Sequence, residues 1–119
     1  MKLIVAGSRG IVKYEIVESA INALIDQGID ITAIIDGTAR GVDALASRYA
    51  KEHGIENIRV PADWKQFGRG AGKERNSRMA EMGDALLALW DGKSNGTRNM
   101  IQAASKHGIL VHIIDCSSI

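Results

Sequence analysis

A chain of 119 residues with 45% hydrophobic and 24% charged side chains has the ordinary balance of one soluble domain. A net charge of +1 excludes a global pull toward nucleic acid or an anionic membrane, and a single cysteine excludes an internal disulfide. No apolar run is long enough to span a bilayer, and Lys2-Leu3-Ile4-Val5-Ala6 reads as a strand, not as a signal peptide. One domain over residues 1–119 in a reducing cytoplasm is therefore expected. Cys116, with no His or base beside it in sequence, reads as a buried or neutral thiol.

Leu3 to Ala6 is a short apolar run, a first strand. Residues 12–27 carry Ile16/Val17, Ala20/Ile21 and Leu24/Ile25 on one helical face, with Glu15, Glu18, Asn22 and Asp26 on the other, and Gly28 stops them. Ala33-Ile34-Ile35 is a second strand. Residues 41–53 align Val42, Leu45/Ala46 and Tyr49/Ala50 in a helix ended by Gly54. Asn57 to Val60 is a short third strand closed by Pro61. Residues 73–82 form a third helix, with Asn76, Met79 and Ala80 on one side, ended by Gly83. Ala85 to Trp90 is apolar on both faces, the mark of a central strand in a covered parallel sheet. Residues 97–107 give a fourth helix around Met100/Ile101 and Ala104, ended by Gly108, and Leu110 to Ile114 a last strand.

This βαβαβαβαβ alternation predicts a three-layer α/β/α sandwich whose five parallel strands take the order 3-2-1-4-5. A ligand crevice is then expected at the carboxyl ends of the first and fourth strands, where strand order reverses. Nine of the thirteen glycines, Gly7, Gly10, Gly37, Gly41, Gly68, Gly70, Gly72, Gly92 and Gly96, fall where a strand hands over to a helix. Bare amides at helix N-termini hold anions, and glycine lets a ligand approach them. Nine of fifteen basic residues lie in these loops or the turns after them: Arg9, Arg40, Lys65, Arg69, Lys73, Arg75, Arg78, Lys93 and Arg98. A nearly neutral chain thus presents one positive rim to a phosphate-bearing molecule. The longest irregular stretch, Pro61 to Gly72, is expected to be a functional loop.

Each candidate residue has two readings. Ser8 and Arg9 are placed to hold a phosphate or to form a turn with a solvated arginine. Asp43 can take a ribose hydroxyl, activate water or cap a helix. Ser94, Gly96 and Thr97 can hold phosphate through hydroxyl and amide donors while also capping the fourth helix. Arg75 and Asn76 can reach inward from the third helix, with Arg78 turned to solvent. Trp64 and Phe67 can stack on a base or pack the loop down. His53, His107 and His112 with one cysteine offer no metal-ligand spacing and no Ser-His-Asp arrangement.

Familiar phosphate motifs are incomplete. Gly92-Lys93-Ser94 imitates the end of a Walker loop, but Leu87 stands where its first glycine belongs. Gly68-x-Gly70 meets Lys73 at the third glycine of a dinucleotide fingerprint, and Gly7-x-x-Gly10 is only a fragment of one. An ATPase or an ordinary dehydrogenase is not expected, and no cofactor is fixed by the sequence.

Gly7-Ser8-Arg9, Gly37-Thr38-Ala39-Arg40-Gly41-Val42-Asp43, Pro61-Ala62-Asp63-Trp64, Gly72-Lys73-Glu74-Arg75-Asn76 and Ser94-Asn95-Gly96-Thr97, in this order, resemble the SLOG superfamily, most of all its YspA/YpsA-related branch. The resemblance implies a Rossmann-like fold, a nucleotide or nucleotide-derived ligand and a homodimer. The superfamily's members include cytokinin-activating phosphoribohydrolases, a DNA-uptake protein, and predicted sensors of NAD- or ADP-ribose-like signals, some borne by phages. The resemblance implies ligand contacts at Gly7, Ser8, Arg9, Gly37, Thr38, Gly41, Asp43, Arg75, Asn76, Ser94, Gly96 and Thr97.

One departure bears on activity. The phosphoribohydrolases carry a glutamate three residues after a glycine-threonine pair, and here Met100 stands at that position after Gly96-Thr97. Hydrolysis needs a carboxylate beside the oxocarbenium-like centre, which Asp43, Asp91 or Glu74 would have to supply. The expectation is a binding module for AMP, ADP-ribose or an NAD-like ligand. The alternatives are a nucleotide N-glycosidase and, against the neutral total charge, a single-stranded DNA binder using Trp64 with Lys65, Arg69 and Lys73.

Overall fold

Side chains that are apolar on both faces belong between two helical layers. The computed structural model, which describes residues 1–118, places the Ala85 to Trp90 run beside the Leu3 to Ala6 run in the interior of the sheet. β1 (Lys2–Gly7) pairs with β4 (Ala85–Trp90) from Leu3↔Ala85 to Gly7↔Leu89. β2 (Ala33–Asp36), β3 (Glu56–Arg59) and β5 (Leu110–Asp115) complete an all-parallel sheet of order β3-β2-β1-β4-β5.

Alternation along the strands sorts the core into two halves. Leu3, Val5, Ala85, Leu87 and Leu89 face α1 (Tyr14–Asp26) and α2 (Val42–Glu52), meeting Val17, Ile21, Leu24, Ala46 and Tyr49. Ile4, Ala6, Leu86 and Ala88 face the opposite layer, where Met79 and Ala80 of α4 (Ala71–Met82) and Met100 and Ala104 of α5 (Asn95–Lys106) cover them. Cys116 is buried in the first half, and burial pushes its thiol up, away from the thiolate. No helix of the described residues is long and apolar enough to cross a membrane.

The expected elements are all present, with shifted ends. α4 starts at Ala71 and α5 at Asn95, two residues earlier than the apolar pattern alone indicates, because glycines at 72 and 96 hide the first turns. β3 begins at Glu56 instead of Asn57. The stretch Pro61 to Gly72 is not irregular: it holds α3 (Trp64–Phe67), a 3₁₀ turn over Gly68–Gly70 and the start of α4. α3 is a single turn capped by Asp63, whose side chain accepts from the Gln66 N–H at 3.1 Å. Gly83 stops α4 for a reason unlike that of Gly28, Gly54 and Gly108. Its φ is −88°, and a Cβ there would lie 2.5 Å from Ile4 Cγ1.

Candidate functional site

The two central strands end at one crevice, and Ser8 ties its walls together. The Ser8 N–H donates to the Leu89 carbonyl at 3.1 Å, and its Oγ accepts from the Asp91 N–H at 3.1 Å. The close approach needs Gly7, where a Cβ would lie 2.5 Å from Leu89 O and 2.6 Å from Val42 Cγ2. Gly41, at φ +76°, likewise meets the Arg9 carbonyl, 2.6 Å from where its Cβ would be.

Asp43 reaches back from the first turn of α2 and holds the preceding loop. Its Oδ2 accepts from the N–H groups of Gly37 and Ala39, both at 3.1 Å. Its Oδ1 takes no protein donor among the described residues, and the residue lines the cleft. Burial raises its pKa to about 6, opposed by those two amides and by Arg75. Arg75 donates through Nη1 to the Gly37 carbonyl and through Nε to Asn76 Oδ1 at 3.1 Å. Burial lowers its pKa, although a guanidinium keeps its charge at any working pH. Asn76 in turn donates to the Gly96 carbonyl at 3.3 Å and to Asn99 Oδ1 at 2.9 Å, which fastens α4 to the start of α5.

The other wall is the turn from β4 into α5. Asp91 Oδ1 accepts from the N–H groups of Lys93 and Ser94, both at 2.8 Å, and these bonds hold its pKa down. Ser94 caps α5, its Oγ accepting from the Thr97 N–H at 3.4 Å and lying 3.2 Å from Thr97 Oγ1. The capping reading of Ser94 and Thr97 therefore holds, and it leaves the amides of Asn95 and Gly96 without an intrahelical acceptor. The Arg9 and Gly10 amides also have no acceptor among the described residues.

Between these walls is a cleft of about 590 Å³. It brings together nine of the twelve residues expected to contact a ligand: Gly7, Ser8, Arg9, Asp43, Arg75, Asn76, Ser94, Gly96 and Thr97. Gly37, Thr38 and Gly41 lie behind it. Gly37 bonds to Asp43 and Arg75; Thr38, at φ +66°, donates its N–H to Asp36 Oδ1 at 2.8 Å; Gly41 supports Arg9. Asp36 itself is fully buried and paired with Arg59 at 3.1 Å. Trp64 lines the cleft and is 59% exposed, whereas Phe67 borders a neighbouring depression with Pro61, Glu74 and Arg78. Glu74 lines that depression instead of the cleft, its carboxylate paired with Arg78 Nε at 2.8 Å, and the Arg78 side chain stays 41% exposed, turned to solvent as expected. Of the three candidate carboxylates, Asp43 and Asp91 remain at the cleft. Four basic side chains, Arg9, Arg69, Lys73 and Arg75, share it with them.

Sequence reasoning overlooked Asn99. Asparagine is a poor residue for a helix interior, and Asn95 and Asn99 share a face four apart, a weak signal of a polar contact. The cleft glycines also divide. Gly7 is required by its neighbours, but Gly10, Gly72 and Gly96 have ordinary negative-side backbones and no atom within 4 Å of a would-be Cβ. Among the described residues no group of three His, Cys, Asp or Glu side chains is placed to hold a metal ion.

A parallel sheet with a glycine-lined crevice at its strand-order reversal defines the class of Rossmann-like α/β proteins. Within that class, the chain belongs to the YspA, cpYpsA-related SLOG family (YAcAr), whose family model matches residues 1–67. That stretch contains the loops after β1 and β2. The Gly72–Asn76 and Ser94–Thr97 segments lie beyond it, and the fold carries them to the same cleft. Comparison with curated proteins gives no match.

Proposed function

We propose that this protein binds a nucleotide or nucleotide-derived ligand, of the AMP, ADP-ribose or NAD-like kind, as a sensor or sequestering module. The observation that carries the reading is the set of unexplained glycines. Gly72 and Gly96 stand in the first turns of α4 and α5, where glycine is less stable than alanine by a few tenths to about 1 kcal/mol. Neither backbone conformation nor any protein neighbour calls for them, and both face the cleft with Gly10. Space kept open beside free amides and four basic side chains suits a phosphate. Phosphate oxygens rest on the Arg9-Gly10 and Asn95-Gly96 amides, Arg75 neutralises charge, Asp43 Oδ1 accepts a ribose hydroxyl, and Trp64 stacks on the base. Family membership supports the ligand class.

Calorimetric titration of AMP, ADP-ribose and NAD into wild type and Gly96→Val tests this. A Cβ at Gly96 meets nothing in the folded chain, so the variant should melt as wild type does. Wild type is expected to bind at least one of the three, and the variant to lose most of that affinity. No heat with wild type, or equal heats for both, rejects the reading.

Asp43 favours a second reading, a nucleotide N-glycosidase. A buried carboxylate raised to about 6, with one oxygen toward the cleft, is suited to orienting water at a ribose C1′ as the base departs. Binding is preferred because Met100, 1% exposed, puts a thioether where the phosphoribohydrolases carry their glutamate. Chromatography after long incubation decides. Base release by wild type but not by Asp43→Asn supports hydrolysis; intact nucleotide rejects it for the substrates tried.

A further inference from the structure

β5 is an edge strand that packs mainly on β4 and α5. Its register with β4 puts Leu110, His112 and Ile114 on the α1/α2 side of the sheet, and Val111, Ile113 and Asp115 on the α4/α5 side. Leu110, Ile113 and Ile114 are each 40% exposed or more. The strand also holds His112 Nε2, the one buried side-chain nitrogen without a partner among the described residues. β5 has no proline and its only charge is its last residue, Asp115, so the run from Leu110 to Ile114 lacks the usual devices that keep an edge from pairing. The opposite edge, β3, is guarded by Glu56 and Arg59.

We propose that β5 is a self-association edge, on which a second copy of this chain adds its own β5 antiparallel about a two-fold axis through His112. Several features favour a second copy. In that register Leu110 faces Ile114 of the other copy and Val111 faces Ile113, so each apolar face continues into its equivalent. Shifting the axis by half a residue sets an α1/α2-side residue against an α4/α5-side one, which the pleat forbids. The charges also match. Asp115 projects on the α4/α5 side opposite residue 109 of the second copy, next to the turn where α5 ends in Lys106 and His107. The two sheets become one of ten strands, and the exposed isoleucines leave water. The cleft opens at the carboxyl ends of the central β1 and β4, so both sites remain accessible.

Sedimentation velocity over a concentration series tests this, and it does not depend on any ligand. Wild type is expected to associate to a dimer. Ile113→Lys and Ile114→Lys, both changes of exposed side chains, should be monomeric with unaltered circular dichroism. Asp115→Lys should weaken the dimer several-fold, and adding Lys106→Glu should restore it. A wild type that stays monomeric at every concentration reached, or a dimer indifferent to both isoleucine variants, overturns the proposal. Failure of the charge exchange to restore association overturns the register centred on His112.

Discussion

At the scale of single residues, a carboxylate's surroundings decide its use more than its place in the sequence. Asp43, Asp91 and Glu74 are equal candidates along the chain for the carboxylate that hydrolysis needs. In the fold Glu74 is paired with Arg78, while Asp91 and Asp43 each hold two backbone amides through one oxygen at the cleft; burial raises the pKa of Asp43, and its amide bonds hold that of Asp91 down. Burial raises Asp43 from 3.8 to about 6, which makes a prediction about stability. Above pH 6 the group is ionised in both folded and unfolded chains, so folding must desolvate a charge. As pH falls through about 6 the folded chain takes up a proton that the unfolded chain accepts only near 3.8, and this penalty is relieved. Asp43→Asn should therefore raise unfolding free energy at pH 8 by roughly 2–3 kcal/mol, an advantage that fades toward pH 4. Urea denaturation at several pH values measures it; a gap that widens as pH falls contradicts the sign.

At the scale of elements, α4 carries two glycines of opposite meaning. Gly83, at its C-terminal end, sits against Ile4 of β1, a residue with no exposed surface and no room to move. Gly72, in its first turn, faces open space. Gly83→Ala should destabilise by about 1–3 kcal/mol through overpacking. Gly72→Ala should stabilise by a few tenths to about 1 kcal/mol while weakening nucleotide binding. Chemical denaturation of the two variants checks the contrast, and two shifts of the same sign would refute it. The alternation of strands and helices was legible because hydrophobic period is a local property. α3 was not, because four residues are too few to show a period. The early starts of α4 and α5 were hidden by the glycines that make the cleft, a place where local propensity and site requirements disagree.

For the whole molecule, charge placement matters more than total charge. A net charge of +1 conceals a cleft with four basic and two acidic side chains. Affinity for ADP-ribose should thus fall several-fold as salt rises from about 0.05 to 0.5 M, with adenosine binding far less affected. Calorimetry across salt concentrations measures this, and identical slopes for the charged and uncharged ligands would contradict it. The strand order was readable because an α/β alternation makes a parallel sheet with right-handed crossovers, and the buried apolar runs of β1, β2 and β4 suit its interior. The crevice followed from that order, and with it nine of the twelve candidate contacts. The sequence by itself determined the layers, the order of the strands and the edge at which the loops gather, since these follow from hydrophobic period and composition along neighbouring residues. Only the tertiary structure decided which glycines are packing and which are open, that Gly37, Thr38 and Gly41 do not line the cleft, and that Asp43 is the buried carboxylate among those that do. Those distinctions depend on atoms brought together from distant parts of the chain, such as Ile4 beside Gly83 and Arg75 beside Gly37, and no local pattern encodes such distances.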